Sequence, residues 1–368
     1  MTIPSRYLGP VLAVLALGCA GESNDPTAIK TDQPPATLLL PTRDLVVMSR
    51  NIYVGTDVDA VIGALSTPDP ADDVPALLAA VATLQETDFT VRAAGFAREV
   101  AWFRPHAIGL VEVSQIDIDL DLTPLGGPHL VVHEDFLPEM LAALARRGLH
   151  YRVAASNRNF VVEPIPGVRL VDYDVTLVDQ RVRIDPGVIA RNFANNVGPV
   201  APGVSLTYGF TLVPLTVAGR GYQVATTHLQ DDVGPVDLAL LRGAQMQELA
   251  ATMSTQIPAV ILGDMNDFVS TPMYQAVTAA GFTDVWAALR PGQDGFTCCH
   301  GSDLTNTRVL NQRLDYVFSR GFARRSDAVD GWIVRFGLFP VEMLQGPLHP
   351  IFVSDHVGLA AGLRRPLH

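Results

Sequence analysis

Short apolar runs that stop at a polar residue set the terms for what this chain can fold into. Residues 107–111, Ala-Ile-Gly-Leu-Val, run into Glu112. Residues 259–262, Ala-Val-Ile-Leu, run into Gly263-Asp264, with Asn266 just beyond. Residues 45–48, Leu-Val-Val-Met, lead to Asn51, and residues 221–227 end at His228. Runs of this kind read as buried strands. Between them lie stretches of helical pattern. Residues 75–103 are rich in Ala and Leu, with Ala93, Phe96, Ala97, Val100 and Ala101 at helical spacing, and Pro105 stops the pattern. Residues 134–147 form a second helix, with Gly148 as its cap, and residues 236–253 a third. Further strands are expected at 170–178, 205–217, 313–318 and 357–363. Residues 112–134 and 179–204 read as polar surface loops. Helices and buried strands mix along the whole length, with no repeat and no glycine-serine linker after residue 44. That pattern favours one large α/β domain over residues 44–368, with sheets at its core and helices outside.

Composition narrows the function. Hydrophobic residues make up 48% of the 368 and charged residues 17%, which excludes a chain disordered throughout. The formal net charge is −12, so a general electrostatic binder of nucleic acid is excluded, although an enzyme that meets phosphates through a metal is not. Three cysteines cannot make a disulfide scaffold for a chain of this length.

The N-terminus reads as an export signal. Arg6 is the one charge before an apolar run over residues 7–18, which is too short to span a bilayer as a helix. The run ends Ala16-Leu17-Gly18-Cys19-Ala20, similar to a bacterial lipoprotein processing site. Residues 1–19 are expected to be a signal peptide, with Cys19 carrying the lipid. The rival is cleavage after Ala20, which frees the protein. Residues 20–43 are polar and proline-bearing, as expected of a flexible tether. Processing removes Arg6, leaving 25 basic against 38 acidic residues, or −13. The protein is expected to be a monomer.

Any single polar residue at a strand end has a structural explanation, since it satisfies loose backbone groups. Together, these residues are the right types for metal-assisted phosphoryl chemistry. Hard cations take oxygen ligands from Glu, Asp and Asn, and histidine moves protons near neutral pH. Asp264 and Asn266, two apart, share a face if the segment is extended, so a proton-accepting carboxylate and an orienting amide can aim at one water. His356 is expected in the cleft, with Asp355 facing away from it and Asp315 as the carboxylate that orients its imidazole.

Asn51 in Ser-Arg-Asn-Ile-Tyr, Glu112 after Ile-Gly-Leu-Val, Thr227-His228-Leu229, Gly263-Asp264-Met265-Asn266, Arg313-Leu314-Asp315-Tyr316 and Ser354-Asp355-His356 occur in that order. This order resembles the endonuclease/exonuclease/phosphatase superfamily, over about residues 44–364. Gly-Asp-x-Asn alone is a weak signal, but followed by Leu-Asp-Tyr and then Ser-Asp-His it is strong. The resemblance implies a four-layered α/β sandwich, two packed mixed sheets flanked by helices. It implies a divalent cation, Mg²⁺ before Mn²⁺ or Ca²⁺, held by Glu112 with Asn51, and with Asp355 at a second metal or behind the site. Asp264 and Asn266 would position the attacking water. His356, oriented by Asp315, would act as base or stabilise phosphoryl oxygens, and His228 would donate to the phosphate or leaving group. Arg50 stands where the family usually has Trp and Val111 where it often has Gln, and neither change removes a ligand.

The reading is therefore an exported phosphodiesterase acting on a small phosphodiester, a nucleotide or a lipid head group. Its rivals are a secreted nuclease, which needs a basic groove, and a non-catalytic surface module. Other polar groups take plainer readings. Cys298-Cys299-His300 suits a vicinal disulfide or a buried thiol pair better than a metal site, since adjacent cysteines rarely give tetrahedral geometry unaided. His106 reads as structural, Arg146-Arg147 and Arg324-Arg325 as solvated surface, and Asp231-Asp232 as turn residues.

Overall fold

A computed structural model describes residues 44–65, 72–123, 127–201, 203–232, 236–305, 309–325 and 328–365. The expectations for the signal peptide, for Cys19 and for residues 20–43 lie outside the described residues. The longer strands are β1 (Asp44–Asn51), β2 (Ala107–Val111), β3 (Gln115–Asp121), β4 (His129–Asp135), β5 (Tyr151–Val162), β6 (Val168–Asp179), β7 (Gly209–Val217), β8 (Arg220–His228), β9 (Ala259–Asp264), β10 (Asp315–Arg320), β11 (Gly331–Phe336) and β12 (Gly358–Arg364). The helices are α1 (Val58–Leu65), α2 (Asp73–Thr87), α3 (Phe89–Phe103), α4 (Phe136–Arg146), α5 (Ala239–Thr252), α6 (Pro272–Ala279) and α7 (Val285–Leu289).

Two mixed sheets form. The first runs β11-β12-β1-β2-β6-β5 and continues into the short strands Val204–Leu206 and Gly198–Ala201, with the β3–β4 hairpin attached to β6. The second runs Thr283–Asp284, β10, β9, β8, β7 and Arg183–Ile184. Each sheet has a parallel pair at its centre, β1 with β2 and β8 with β9, and antiparallel strands on either side.

Strand periodicity sorts the side chains into layers, because successive residues point to opposite faces. Leu45, Val47, Leu359, Ala361 and Leu363 of the first sheet meet Val213, Val224, Val260, Leu262 and Val317 of the second. The next residues along, Met48, Ile108, Leu110 and Ala360, face Phe96, Val100, Phe136 and Leu144 of α3 and α4. On the far side, Phe210, Ala225 and Ile261 pack on Met246, Leu249, Met273 and Val277 of α5 and α6. The result is the helix–sheet–sheet–helix sandwich expected from the sequence. Gly109 lets the sheets close at its position, since a Cβ there would meet Thr226 Oγ1 at 2.8 Å and Leu262 Cβ at 3.0 Å.

Three expectations are corrected. The helical stretch 75–103 is two helices, because Asp88 takes φ 27° and its side chain accepts from Val91 N to cap α3. Residues 112–134 are not a loop: Ile116 and Ile118 alternate with Asp117 and Asp119 in a strand that is buried on one face. Residues 179–204 contain the short strands Arg183–Ile184, Ile189–Asn192 and Gly198–Ala201.

Candidate functional site

Strand register brings the chemistry together. In the second sheet His228, Asp264 and Asp315 lie side by side at the ends of β8, β9 and β10. In the first, Asn51 ends β1 and Glu112 follows β2, while Asp355-His356 enters β12, the antiparallel neighbour of β1. The two sheets face each other, so all eight residues singled out from the sequence meet at one rim of the sandwich.

Asn51 is buried between two carboxylates. Its Nδ2 donates to Glu112 Oε1 at 2.7 Å and to Asp264 Oδ2 at 3.2 Å. Its Oδ1 accepts from Tyr53 N at 2.8 Å, which turns the chain so that Val54 N reaches Glu112 Oε2 at 3.2 Å. Arg92, buried under this loop, donates to the carbonyls of Ile52 and Tyr53 at 2.8 and 2.9 Å. Burial pushes the Glu112 carboxyl up to about 7; His228 opposes the shift and Asp355 adds to it. Burial also raises Asp355, with Asp264 adding to the rise and His356 opposing it.

Asp264 follows Gly263, which takes φ +140° and where a Cβ would lie 1.8 Å from the Thr227 carbonyl oxygen. Only glycine allows this turn beside β8. The segment beyond is not extended. Asn266 has φ 47°, and its N–H donates to Asp264 Oδ1 at 2.9 Å. The amide therefore reaches the site through a left-handed turn rather than by strand alternation, which corrects the sequence argument. Asn266 Nδ2 donates to Leu229 O at 3.0 Å and lies 2.9 Å from His228 Nε2. With one amide hydrogen on the carbonyl and the other on the ring, Nε2 is the acceptor.

The two imidazoles are held differently. His356 Nδ1 is 2.7 Å from Asp315 Oδ2 and 3.5 Å from Asp264 Oδ2. Burial alone would lower the His356 pKa, but the Asp315 and Asp264 carboxylates outweigh it and hold the ring well above its ordinary value. Its backbone is fixed as well: the amide donates to Ser354 Oγ at 3.1 Å, and the carbonyl accepts from Arg50 Nη1. Arg50 is buried and pairs through two nitrogens with Glu99, at 3.0 and 3.2 Å. The arginine that departs from the family pattern thus secures the backbone at His356. His228 packs edge-on against Tyr208 at 5.3 Å, its amide donates to Asp174 Oδ2 at 3.1 Å, and its Nε2 is 4.0 Å from Asp264 Oδ2.

Asp174 was missed in the sequence reading. It is fully buried with Asp172 on the same face of β6, and Asn159 Nδ2 donates to Asp172 at 2.8 Å. Burial, then Asp172, raise the Asp174 carboxyl well above its ordinary value. Asp174 Oδ1 and His228 Nδ1 are both buried without a hydrogen-bond partner among the described residues. Asp172-Tyr173-Asp174 inside an apolar strand was the signal, because two acids at i and i+2 must enter one interior together. Among the plainer readings, His106 Nδ1 accepts from Val46 N at 3.0 Å, a structural contact, and Asp232 pairs with Arg242 at 2.6 Å.

Ligand atoms of Glu112, His228 and Asp264 lie within 4.8 Å of one another, as do those of Asp264, Asp315 and His356. The set is oxygen-rich, and burial pushes its Glu112 and Asp315 carboxyls up, which suits a hard divalent cation that would relieve that cost.

No protein-family model matches the chain, and no curated protein matches it in sequence. Its fold matches solved structures. An endonuclease/exonuclease/phosphatase family protein from Leptotrichia buccalis superposes with TM-score 0.54 at 13% identity, covering 87% of this chain and 99% of that one. An endonuclease/exonuclease/phosphatase from Beutenbergia cavernae gives 0.52 at 21% identity, over 88% of this chain and 72% of that one. A humanised D. rerio TDP2 gives 0.50 at 15% identity, over 87% and 99%. The chain has the fold of the endonuclease/exonuclease/phosphatase proteins.

Proposed function

We propose that this protein is a divalent-cation-dependent phosphoesterase that hydrolyses a phosphodiester by attack of water. The observation that carries the reading is the convergence of Asn51, Glu112, Asp264, Asn266, Asp315, His228 and His356 on one rim, through contacts between separate strands. The names of the Leptotrichia and Beutenbergia proteins support it.

Glu112 and Asp355 would hold the cation, with Asn51 positioning the Glu112 carboxylate through Nδ2. When bound, the cation supplies positive charge against the phosphoryl oxygens. The remaining chemistry belongs to the side chains. Asp264 and Asn266 position water, and Asp264 accepts its proton between two imidazoles. His356, kept protonated by Asp315 and Asp264, presents Nε2–H to a phosphoryl oxygen. Protonated His228 exchanges Asn266 for the leaving-group oxygen and donates to it through Nε2.

The substrate class we favour is small: a short phosphodiester, a nucleotide or a lipid head group. The net charge of −12 opposes a long polyanion, since each phosphate contact needs a Lys or Arg. A groove of about 520 Å³ beside Asn159 is lined by Asn157, Asn192, Ser205 and Thr207, with Arg158 as its cation. The test is turnover of bis-p-nitrophenyl phosphate and p-nitrophenyl phosphate with Mg²⁺ and in EDTA, then a panel of DNA, RNA, sphingomyelin and small phosphoesters. The diester should be preferred, and EDTA should abolish turnover. Full activity in EDTA overturns the cation reading.

Export as a lipoprotein is part of the proposal and rests on residues 1–19. Cys19→Ser or globomycin should leave a larger, unprocessed precursor. Normal processing under both treatments, with soluble product, favours cleavage after Ala20.

A further inference from the structure

The cysteine pair that the mechanism leaves unused lies against the proposed catalytic histidine. Cys298 and Cys299 have their sulfurs side by side, placed to close a vicinal disulfide. Cys298 is buried and Cys299 half-buried, so only the second sulfur is open to a reagent. Cys299 Sγ lies 3.9 Å from His356 Nε2, the ring nitrogen that Asp315 leaves free.

The backbone around the pair grips both members of the Asp315–His356 unit. Val357 N donates to the Thr297 carbonyl at 2.7 Å, and His300 N donates to the Asp355 carbonyl at 2.7 Å. Residues on either side of the cysteines therefore bracket Asp355-His356. Thr297 Oγ1 accepts from Leu314 N at 3.2 Å and Asp315 N at 3.1 Å. Cys298 itself bonds through N to Gln312 O at 3.0 Å, and its carbonyl accepts from Asn311 N at 3.2 Å. A disulfide between adjacent residues closes a small ring through the peptide that joins them. Opening that ring frees backbone in the middle of this clamp and places a thiol beside His356 Nε2.

We propose that Cys298–Cys299 is a redox-active modification site controlling the cleft. The disulfide form is the active state, and the dithiol form is impaired. A thiolate of a dithiol reductant attacks Cys299 Sγ, the S–S bond breaks, and Cys298 leaves as thiolate and takes a proton. The second thiol of the reductant then displaces Cys299 from the mixed disulfide. The pair gains two electrons and two protons, and the reductant leaves as its own disulfide. The consequence for turnover rests on the phosphoesterase reading, whereas the redox chemistry at His356 does not.

The experiment compares wild-type protein before and after dithiothreitol. Maleimide mass mapping follows the thiols, bis-p-nitrophenyl phosphate follows turnover, and the ¹⁵N shift of His356 Nε2 follows the ring. Reduction should expose both cysteines to label, move the His356 shift and lower kcat/KM on the order of tenfold or more, as expected when a reacting group is misplaced. Reoxidation should restore all three. Cys298→Ser/Cys299→Ser should hold one activity level under either treatment, which also controls for cation binding by dithiothreitol. Full labelling with unchanged turnover and an unchanged His356 shift overturns the proposal. So does a pair that resists reduction in the native protein, or a double variant that responds as wild type does. Absence of turnover in both redox states is instead a failure of the phosphoesterase reading, and the His356 shift then decides the redox site alone.

Discussion

His228 and His356 sit at opposite sides of Asp264, and the protein treats them differently. His356 is gripped at three points: Asp315 on Nδ1, Ser354 on its amide, Arg50 on its carbonyl. His228 is held through its amide by Asp174 and accepts a hydrogen bond at Nε2, while its Nδ1 has no hydrogen-bond partner among the described residues. One imidazole is fixed in tautomer and kept charged by a carboxylate, and the other meets a neutral amide at Nε2. That difference suits a group that stabilises charge throughout the reaction beside one that must give up a proton to a leaving group. A carboxylate directly on a ring nitrogen fixes the tautomer and favours the charged form, whereas the Asp174 carboxylate on the His228 backbone amide does not touch the ring nitrogens.

Removing the rigid imidazole should cost most. His356→Ala should lower kcat/KM on the order of a thousandfold or more, as loss of a unit member does elsewhere. Asp315→Asn should cost a smaller but still large share, because geometry survives while charge is lost. The double variant should be little worse than His356→Ala, since groups acting as one unit are not additive. Additive losses in steady-state kinetics would separate the pair.

Next comes the support behind it. Arg50→Met leaves Glu99 buried without its partner, which should cost roughly 3–5 kcal/mol in chemical denaturation. Burial already pushes Glu99 up to about 7, with Arg50 holding it down. The loss should therefore shrink when Glu99→Gln is added, and an equal loss in the double variant would mean that the arginine acts otherwise.

The mobile-proton side should respond less. His228→Ala should cost about a hundredfold, within the usual range for general acid–base catalysis. Asp174→Asn should cost less than that and move the pH–rate profile, whereas a merely structural aspartate would leave the profile in place. The smallest effect concerns stability. Because His356 is raised, its stabilising contribution is complete below its unfolded value, about 6.5, and is lost as pH rises through the folded value. The stability gap between wild type and Asp315→Asn should therefore narrow toward alkaline pH, and a gap that widens would contradict the charge assignment.

The sequence exposes one half of this contrast better than the other. Asn51, Glu112, His228, Asp264, Asp315 and His356 are legible because each ends or begins a short apolar strand, so burial pattern and chemistry coincide. Asp172 and Asp174 lie inside a strand, where their meaning depends on what faces them across the sheets, and His228 comes from the other sheet. β5 escaped for the same reason. Its inward residues include Asn157 and Asn159, which are buried only because they bond to each other, to Asn192 and to Asp172. Polar residues that satisfy one another in the interior look like loop in a one-dimensional pattern. The β3–β4 hairpin was hidden by acids on its exposed face, although Ile116, Ile118 and Leu120 keep strict alternation. Arg50 read as a departure from a family pattern, and its role needs Glu99, which lies on α3.

The measurement closest to the centre of this account is the Mg²⁺ dependence of bis-p-nitrophenyl phosphate hydrolysis by wild type and Glu112→Ala, run at several pH values. Burial puts the Glu112 carboxyl at about 7, so protons should compete with the cation. Wild type should need more Mg²⁺ as pH falls through about 7, while Glu112→Ala should need more at every pH and lose that dependence. Equal Mg²⁺ requirements for the two proteins across the pH range would contradict the account.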